Sequence, residues 1–444
     1  MNLTLLIAAA GSFMVFFVPP VIGLILYIAI LAWYPSYLSL QIGTIDFTVC
    51  RIIILAIYAN LFFCTDLPKH YKPILLDKLL ILYFIAQVIA GVSNTPALIL
   101  LENRAGAIFD MLLPYFAVRI IITGKKQYLT LIKGILFSAV PFAILGIYQC
   151  YTGANIFGFI PGHTYIAKPR HGMYRALLTF SVSIMFGLYF AMLAPPCAAL
   201  FHSVNKNKKL YGFAILIMLI GVLSSMSSGP MLSALLSIMF ILAYKYRKNW
   251  KLAVIAVIIF FGSIEIISNR HFYDVFGRFT FDNRTAWYRS KLIDVALFEG
   301  GMKSHWLTGF GLNDPGWSDR IDKRGHTDLV NHYLLILSRY GIVGLLPFMA
   351  IITVALKMLH RAFQSAMLDS DRWLIWCLAA ALFGLLTSLT TVSLFGPPKT
   401  ILYLLFAFCS ITPLIVKQAN YNILLHTQLI SKMTDSNYSI LPSS

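Results

Sequence analysis

The sequence predicts a polytopic all-α membrane protein, and three observations support this fold class. Of the 444 residues, 59% are hydrophobic and only 12% are charged, whereas globular proteins have about 25% charged residues. The apolar residues occur in runs of about 20, which is long enough for a helix to cross a hydrocarbon layer about 30 Å thick. Loops rich in Lys and Arg alternate with loops that have almost none, as expected when a chain crosses a membrane repeatedly.

We predict 12 or 13 transmembrane helices. The alternative concerns residues 4–33, which form either one overlong helix or two short ones that separate at Pro19-Pro20, because proline interrupts helical hydrogen bonding. This first segment lacks a basic amino-terminal region, so we expect it to be retained rather than cleaved as a signal peptide. The other spans are predicted near residues 48–64, 79–95, 104–122, 130–150, 176–200, 210–226, 230–245, 251–268, 331–356, 373–393 and 400–417.

The basic loops orient these spans, because Lys and Arg in short loops favour the cytoplasmic side. They lie near residues 69–78, 125–126, 206–209, 245–251 and 357–372. With these loops inside, two long polar loops lie outside. The predicted organisation is therefore helices over residues 1–268 with a short cationic outer loop at 151–175, a large outer loop at 269–330, helices over 331–417, and a cytoplasmic tail at 418–444.

Several functions are excluded by what the sequence lacks. The net charge of +18 is dispersed between apolar runs and forms no continuous basic face, so we do not expect nucleic-acid binding. The six cysteines lie in or beside apolar runs without metal-ligand spacing, and the motifs GxxxxGK[ST], HExxH and GxSxG are absent. We therefore predict neither a metal site nor a cofactor.

Positive charge in the two outer loops is unusual, because this side of a membrane protein normally has little. The first loop contains Lys168, Arg170 and Arg175; an alternative role for Lys168 and Arg170 is contact with lipid headgroups. In the large loop, residues 285–298 are predicted to form an amphipathic helix. Arg284 comes directly before this helix, and Arg289 lies within it. Arginine suits a phosphate or pyrophosphate group because its planar guanidinium donates paired, charge-assisted hydrogen bonds.

A histidine at the exit of the large loop could serve a substrate at the membrane surface. His332 precedes the next span, and an imidazole can exchange a proton with a hydroxyl near neutral pH. A packed interfacial side chain is the alternative for any single histidine. His305 and His326 are equal rivals by position in the sequence.

Several segments together resemble one family. The run NHYLLILSRYGIVGLLPF, residues 331–348, resembles a characteristic segment of the O-antigen ligase and polysaccharide polymerase superfamily, and DNRTAWYRSKLIDVALFEGGMKSHWLTGFGLN, residues 282–313, resembles its outer-loop pattern. RALLTFSVSIMFGLYF, SSGPML and FDMLLPYFAVR, at residues 175–190, 227–232 and 109–119, are similar to further segments. Where many relatives have a histidine after the position of Arg175, this chain has Ser181 or Ser183.

The resemblance implies a GT-C-like fold and a metal-independent, inverting glycosyltransferase that takes glycan from an undecaprenyl-pyrophosphate donor. The resemblance also implies that the transfer takes place at the periplasmic face of the bacterial inner membrane. Arg284 and Arg175 would bind the pyrophosphate, and His332 would activate the acceptor hydroxyl or stabilise the attack. Arg170, Arg289 and Lys168 would be supporting cations. The catalytic residues are thus expected to be His332 and Arg284.

Within this superfamily, we favour a polymerase that joins lipid-linked repeat units for O-antigen or exopolysaccharide, because LLPYFAVR, SSGP and NHYLLILSRYG resemble polymerase segments most. A ligase that transfers glycan to lipid A core is the alternative. A flippase or transporter that uses Asp110 or Glu265 ranks behind both. Expected partners are the undecaprenyl-pyrophosphate-linked oligosaccharide, membrane lipids, a chain-length regulator and a flippase.

Overall fold

The computed structural model describes residues 3–42, 44–160, 169–203, 207–268, 271, 273–274 and 283–438. These residues are mainly helical: α1 (Leu3–Phe17), α2 (Pro20–Trp33), α3 (Val49–Cys64), α4 (Leu75–Val92), α5 (Ala97–Ala107), α6 (Leu113–Ile121), α7 (Lys125–Thr152), α8 (Ser183–Ala198), α9 (Leu200–Ser203), α10 (Lys208–Ser224), α11 (Ser228–Leu242), α12 (Trp250–Ile267), α13 (Asn283–Ile293), α14 (Ser318–Ile321), α15 (His332–Ser365), α16 (Asp369–Ser388) and α17 (Pro397–Tyr438). Two antiparallel hairpins pair β1 (Ser39–Ile42) with β2 (Ile45–Thr48) and β3 (Pro169–Arg170) with β4 (Met173–Tyr174). Shorter 3₁₀ or π-helical segments are Leu67–His70, Ile108–Leu112, Ile156–Phe159, Ala243–Asn249 and Asp294–Phe298.

Seven helices in the described part of the chain are long and apolar enough to cross a membrane. They are Leu75–Val92, Lys125–Thr152, Ser183–Ser203, Ser228–Asn249, His332–Ser365, Asp369–Ser388 and Pro397–Leu425. Helices α1, α2 and α3 are apolar but shorter. The protein is therefore an all-α membrane protein, as the sequence predicts, while the total of 12 or 13 spans stays a prediction.

The start of the chain forms two helices rather than one. Helix α1 ends at Phe17 and α2 begins at Pro20, with the backbone N–H of Ile22 donating to the carbonyl of Pro19 at 2.8 Å. The two adjacent prolines provide no N–H groups with which α1 could continue, so the helical ladder stops there. Of the two alternatives for residues 4–33, the structure has the broken form.

Helix α8 lies at the centre of the bundle, since all of its residues except Ile184 are buried. Small residues let its neighbours approach closely: a Cβ atom on Gly187 would lie 2.5 Å from Ser225 Oγ. Likewise, a Cβ atom on Gly384 of α16 would collide with Ser237 of α11. Close approach through small residues is the usual way in which membrane helices pack, because hydrocarbon provides no hydrophobic force between them.

Helix α15 is broken near its start, where Gly341 has φ 60° and ψ −160°. That conformation is accessible essentially only to glycine, because a side chain would clash with the backbone. The segment Trp306–Gly311 of the large loop fills the break. Backbone hydrogen bonds join the two: Phe310 N to Ser338 O (2.7 Å), Gly311 N to Arg339 O (3.0 Å), Ile342 N to Trp306 O (2.8 Å) and Val343 N to Leu307 O (3.2 Å).

The turn between α4 and α5 holds the same segment from the other side. Asn94 Nδ2 donates to Gly309 O at 2.9 Å, and Thr95 Oγ1 accepts from Leu312 N at 3.1 Å. The large loop is therefore anchored between α4 and α15 instead of lying free above the helices. We call the end of the bundle that contains Asn94, Asn331 and Leu389 the loop end.

The predicted amphipathic helix of the large loop is confirmed. Helix α13 begins at Asn283 and continues as a π-helical segment to Phe298. Its apolar residues Leu292 and Val295 pack with Trp317 and with Leu334 of α15 in a small core separate from the main one. At the other end of the chain, the predicted tail is helical as far as Tyr438, because α17 continues through it.

Candidate functional site

The cationic hairpin β3–β4 positions Arg170 and Arg175 beside the turn between α10 and α11. Arg170 Nη1 donates a hydrogen bond to the carbonyl of Met226 at 3.0 Å, and Arg175 Nη2 donates to Ser227 Oγ at 2.7 Å. Ser183, at a position the sequence analysis singled out, lies 3.5 Å from the same hydroxyl. The structure thus brings two of the predicted phosphate-binding arginines together.

The Arg175 guanidinium has at least one N–H donor without a partner among the described residues. It is half-buried, and its Nε is buried without a hydrogen-bond partner. Burial lowers the pKa of Arg175 below its ordinary value, and the charge of Arg170 lowers it further. Among the described residues, neither arginine makes an ion pair. Two adjacent cations without an acid would gain stability from a bound anion, because its charge would offset their repulsion.

His332 is buried at the first turn of α15, where only 5% of the residue is exposed. Its backbone N–H donates to Leu389 O at 2.8 Å, and its Nδ1 accepts from the backbone N–H of Leu394 at 3.2 Å. The ring packs edge-on against Phe348, with centroids 5.9 Å apart. The segment after α16 therefore holds the imidazole in one orientation.

This hydrogen bond defines which nitrogen of His332 can act. Because Nδ1 accepts a hydrogen bond, the proton of the neutral ring is on Nε2. The remaining nitrogen is then a donor and not a base. If His332 has one of the two roles that the family resemblance implies, this tautomer would suit a donor that stabilises the attack better than a base that removes a proton.

A short path of contacts connects His332 to the arginine pair. Ser227, which binds Arg175, is followed two residues later by Gly229, and a Cβ atom there would lie 2.8 Å from Val392 Cγ2. Val392 belongs to the segment whose Leu394 binds the His332 ring. Arg175 and His332 are therefore held at the loop end by one turn and one segment that pack against each other.

The rival histidines differ from His332 in their surroundings. His305 is half-buried and stacks on Phe310 at 3.9 Å within the large loop, where its Nδ1 bonds to Ser304. His326 is exposed. Of the three, His332 alone is buried at the start of a membrane-spanning helix, a difference that spacing in the sequence does not reveal.

The other predicted cations are only partly described. Arg284 lies in the first turn of α13, but its side chain is outside the described part of the chain. Lys168 is also outside the described residues. Arg289 is half-buried on α13. Whether Arg284 and Arg289 join Arg175 therefore stays a prediction.

In comparisons with known proteins, no protein-family model and no curated protein matches this sequence. The resemblance described above thus depends on the quoted segments alone.

A second group of cations at the loop end was not anticipated. Arg104, Arg339 and Lys399 come from α5, α15 and α17, and Arg104 Nη2 donates a hydrogen bond to the hydroxyl of Tyr340, the neighbour of Arg339, at 2.8 Å. One signal was available in the sequence: Lys399 interrupts a loop that otherwise has almost no positive charge.

Proposed function

We propose that this protein is a glycan polymerase of the bacterial inner membrane. It would transfer an undecaprenyl-pyrophosphate-linked glycan to another lipid-linked repeat unit at the periplasmic face, in a GT-C-like fold with 12 or 13 spans. The observation that supports this most is the pair Arg170 and Arg175, which have no acid partner among the described residues and lie one packed segment away from the oriented ring of His332.

The proposed transfer is a direct displacement. An acceptor hydroxyl oxygen forms a bond to the anomeric carbon, and the bond from that carbon to the pyrophosphate oxygen breaks. The electron pair leaves with undecaprenyl pyrophosphate, and the hydroxyl proton passes to the departing pyrophosphate or to water. Arg170 and Arg175 stabilise the charge on the leaving group, and no metal ion is required for that purpose. His332 Nε2–H donates to an oxygen on which negative charge develops.

The ion pairs of the spans argue against the transporter alternative. Asp110 accepts two hydrogen bonds from Arg51, at 2.8 and 3.2 Å, and Asp77 is paired with Arg119 at 3.2 Å. Both acids are thus paired with arginines that hold the helices together, which accounts for their presence in the spans without a role in transport. Glu265 bonds to His271 at 2.6 Å.

Reconstitution with defined substrates tests the proposal and separates its alternatives. The purified protein would be mixed with an undecaprenyl-pyrophosphate repeat unit, with and without a lipid A core acceptor, and the products separated by length. A polymerase gives a ladder of lengths without the core acceptor. Product that forms only with lipid A core would identify a ligase, and an unchanged donor in both mixtures would overturn the proposal.

A further inference from the structure

On the carboxyl-terminal side of its break, helix α15 has one exposed stripe of apolar residues. The exposed positions recur every three or four residues, which places them on one side of the helix, and all but one are apolar: Ile342, Leu346, Met349, Thr353 and Leu356. The next exposed residues along the helix are polar, namely Lys357, His360 and Arg361. Since α15 is long and apolar enough to cross a membrane, this stripe faces lipid.

The stripe is too short to cover the hydrocarbon layer by itself. From Ile342 to Leu356 a helix rises about 21 Å, at about 1.5 Å per residue, whereas the layer is about 30 Å thick. Any tilt of the helix increases this difference. On the other side of the break, the fully described segment His332–Gly341 contains no exposed residue. Lipid-facing surface at the loop end must therefore come from another part of the chain.

Trp306 and Leu307 of the large loop lie at that end of the stripe. The backbone N–H of Ile342 donates to Trp306 O at 2.8 Å, and that of Val343 donates to Leu307 O at 3.2 Å. Both loop residues are exposed, Trp306 at 39% and Leu307 at 67%. Two large apolar side chains thus continue the stripe beyond the break in α15.

The loop segment is held in this place from two sides. Asn94 Nδ2 of the α4–α5 turn donates to Gly309 O at 2.9 Å, and Phe310 N donates to Ser338 O of α15 at 2.7 Å. Exposure changes from polar to apolar just before it, because Lys303 and Ser304 are also exposed. Tryptophan is enriched where the hydrocarbon layer meets the lipid headgroups, so Trp306 is the residue type expected at such a boundary.

We propose that Trp306 and Leu307 enter the membrane leaflet at the loop end, where the acyl chains of membrane lipids cover them. The partner is bilayer lipid and not another protein, because these residues continue a surface that already faces lipid and that is shorter than the hydrocarbon layer. The large loop is then part of the membrane-facing surface of the protein. This inference does not rest on the proposed glycan transfer.

Spin-label accessibility in lipid vesicles tests the proposal on the full-length protein. Cys50 and Cys64, the two cysteines that are not buried, would first be replaced by serine. Single labels would then be placed with Leu307→Cys, with Lys303→Cys as the control in the same loop, and with Leu346→Cys as the control on the stripe, where Leu346 is 63% exposed. Collision rates would be measured with oxygen, which concentrates in hydrocarbon, and with a water-soluble nickel chelate present on both sides of the vesicles.

The ratio of oxygen to nickel collisions at position 307 is expected to match that at position 346 and to exceed that at position 303. A ratio at 307 as low as that at 303 would place the segment in water and overturn the proposal. Low collision rates with both reagents at 307 would show that protein, such as a second copy of this chain, covers the residue, and would overturn lipid as the partner. None of these measurements requires transfer activity, so the proposal and the proposed function can fail independently.

Discussion

His332 differs from His305 and His326 in being buried and fixed by a backbone hydrogen bond to Nδ1. This bond predicts the behaviour of two substitutions. His332→Ala should slow glycan transfer about 100- to 1000-fold, the usual cost of removing one donor from a developing charge. His332→Gln keeps an N–H donor at a similar reach, so its transfer rate should be at least about tenfold higher than that of His332→Ala.

Initial rates of donor consumption, compared at equal thermal stability, check this prediction. A glutamine variant as slow as the alanine variant would point to proton transfer, which glutamine cannot perform. The bond from Leu394 N to Nδ1 would then not describe the catalytic state.

Asp314 has a structural role, because its carboxylate joins two parts of the turn-rich segment of the large loop. Its carboxylate accepts from Gly316 N and Thr327 N, both at 2.7 Å, and from Thr327 Oγ1 at 2.8 Å. Burial alone would raise the pKa of Asp314, but these hydrogen bonds outweigh it and lower the pKa below its ordinary value.

The lowered pKa gives a pH-dependent prediction. A carboxyl group with a depressed folded-state pKa stabilises the fold above its unfolded pKa of about 4, and this contribution is lost as the pH falls through the folded pKa. Asp314→Asn should therefore make the large loop more sensitive to protease at pH 7, and this difference should shrink as the pH falls below about 4. Equal cleavage of variant and wild type at pH 7 would contradict the role of the carboxylate.

At the scale of elements, the break in α15 is the feature that positions the large loop. A Cβ atom on Gly341 would collide with the carbonyl of Leu307, and the conformation itself disfavours side chains. Gly341→Ala should therefore destabilise the protein by about 1–3 kcal/mol and loosen Trp306–Gly311. Thermal melting and limited proteolysis of the large loop check both effects.

Gly262→Ala provides the matched control, since a Cβ atom there meets nothing within 4 Å. It should be neutral or slightly stabilising, because alanine is a better helix former than glycine. If both variants melt alike and their loops are cleaved alike, the anchoring of the loop in the break is wrong.

The sequence predicts some of these elements and conceals others for physical reasons. Pro19-Pro20 signals the break between α1 and α2, because proline acts locally and in any context. The break at Gly341 has no such signal: residues 331–348 look like a continuous apolar helix, and the carbonyls freed there bond to a segment about 30 residues earlier. Turn residues in GFGLND predict a loop but not the helix into which it fits.

The same distinction applies to the site. Arg175 could be predicted because cations on the outer side are rare, and that local anomaly needs no knowledge of the fold. In the sequence, Arg104 looks like the first residue of a span. Only the structure shows that its hydrogen-bond partners include the neutral side chains of Gln87 and Tyr340. The burial of His332 likewise depends on residues 389–394, which lie more than 50 residues away in the chain.

At the scale of the whole molecule, the proposed function requires that the loop end, with Arg175 and His332, faces the periplasm. In a background in which exposed Cys64 is serine, Lys303→Cys should react with an impermeant maleimide in intact cells. Lys248→Cys, exposed near the opposite end of α11, should react only after permeabilisation. The reverse pattern would place the loop end in the cytoplasm and contradict the proposed use of a periplasmic substrate.

The proposed function requires that Arg175 and His332 act in one site, and a double-mutant cycle of glycan transfer measures the coupling between them. Each alanine variant should be slow, and the double variant should be slower than the slower single by less than about tenfold, because residues that act together are not additive. Transfer at the wild-type rate by either single variant, or losses that simply multiply in the double variant, would contradict the claim.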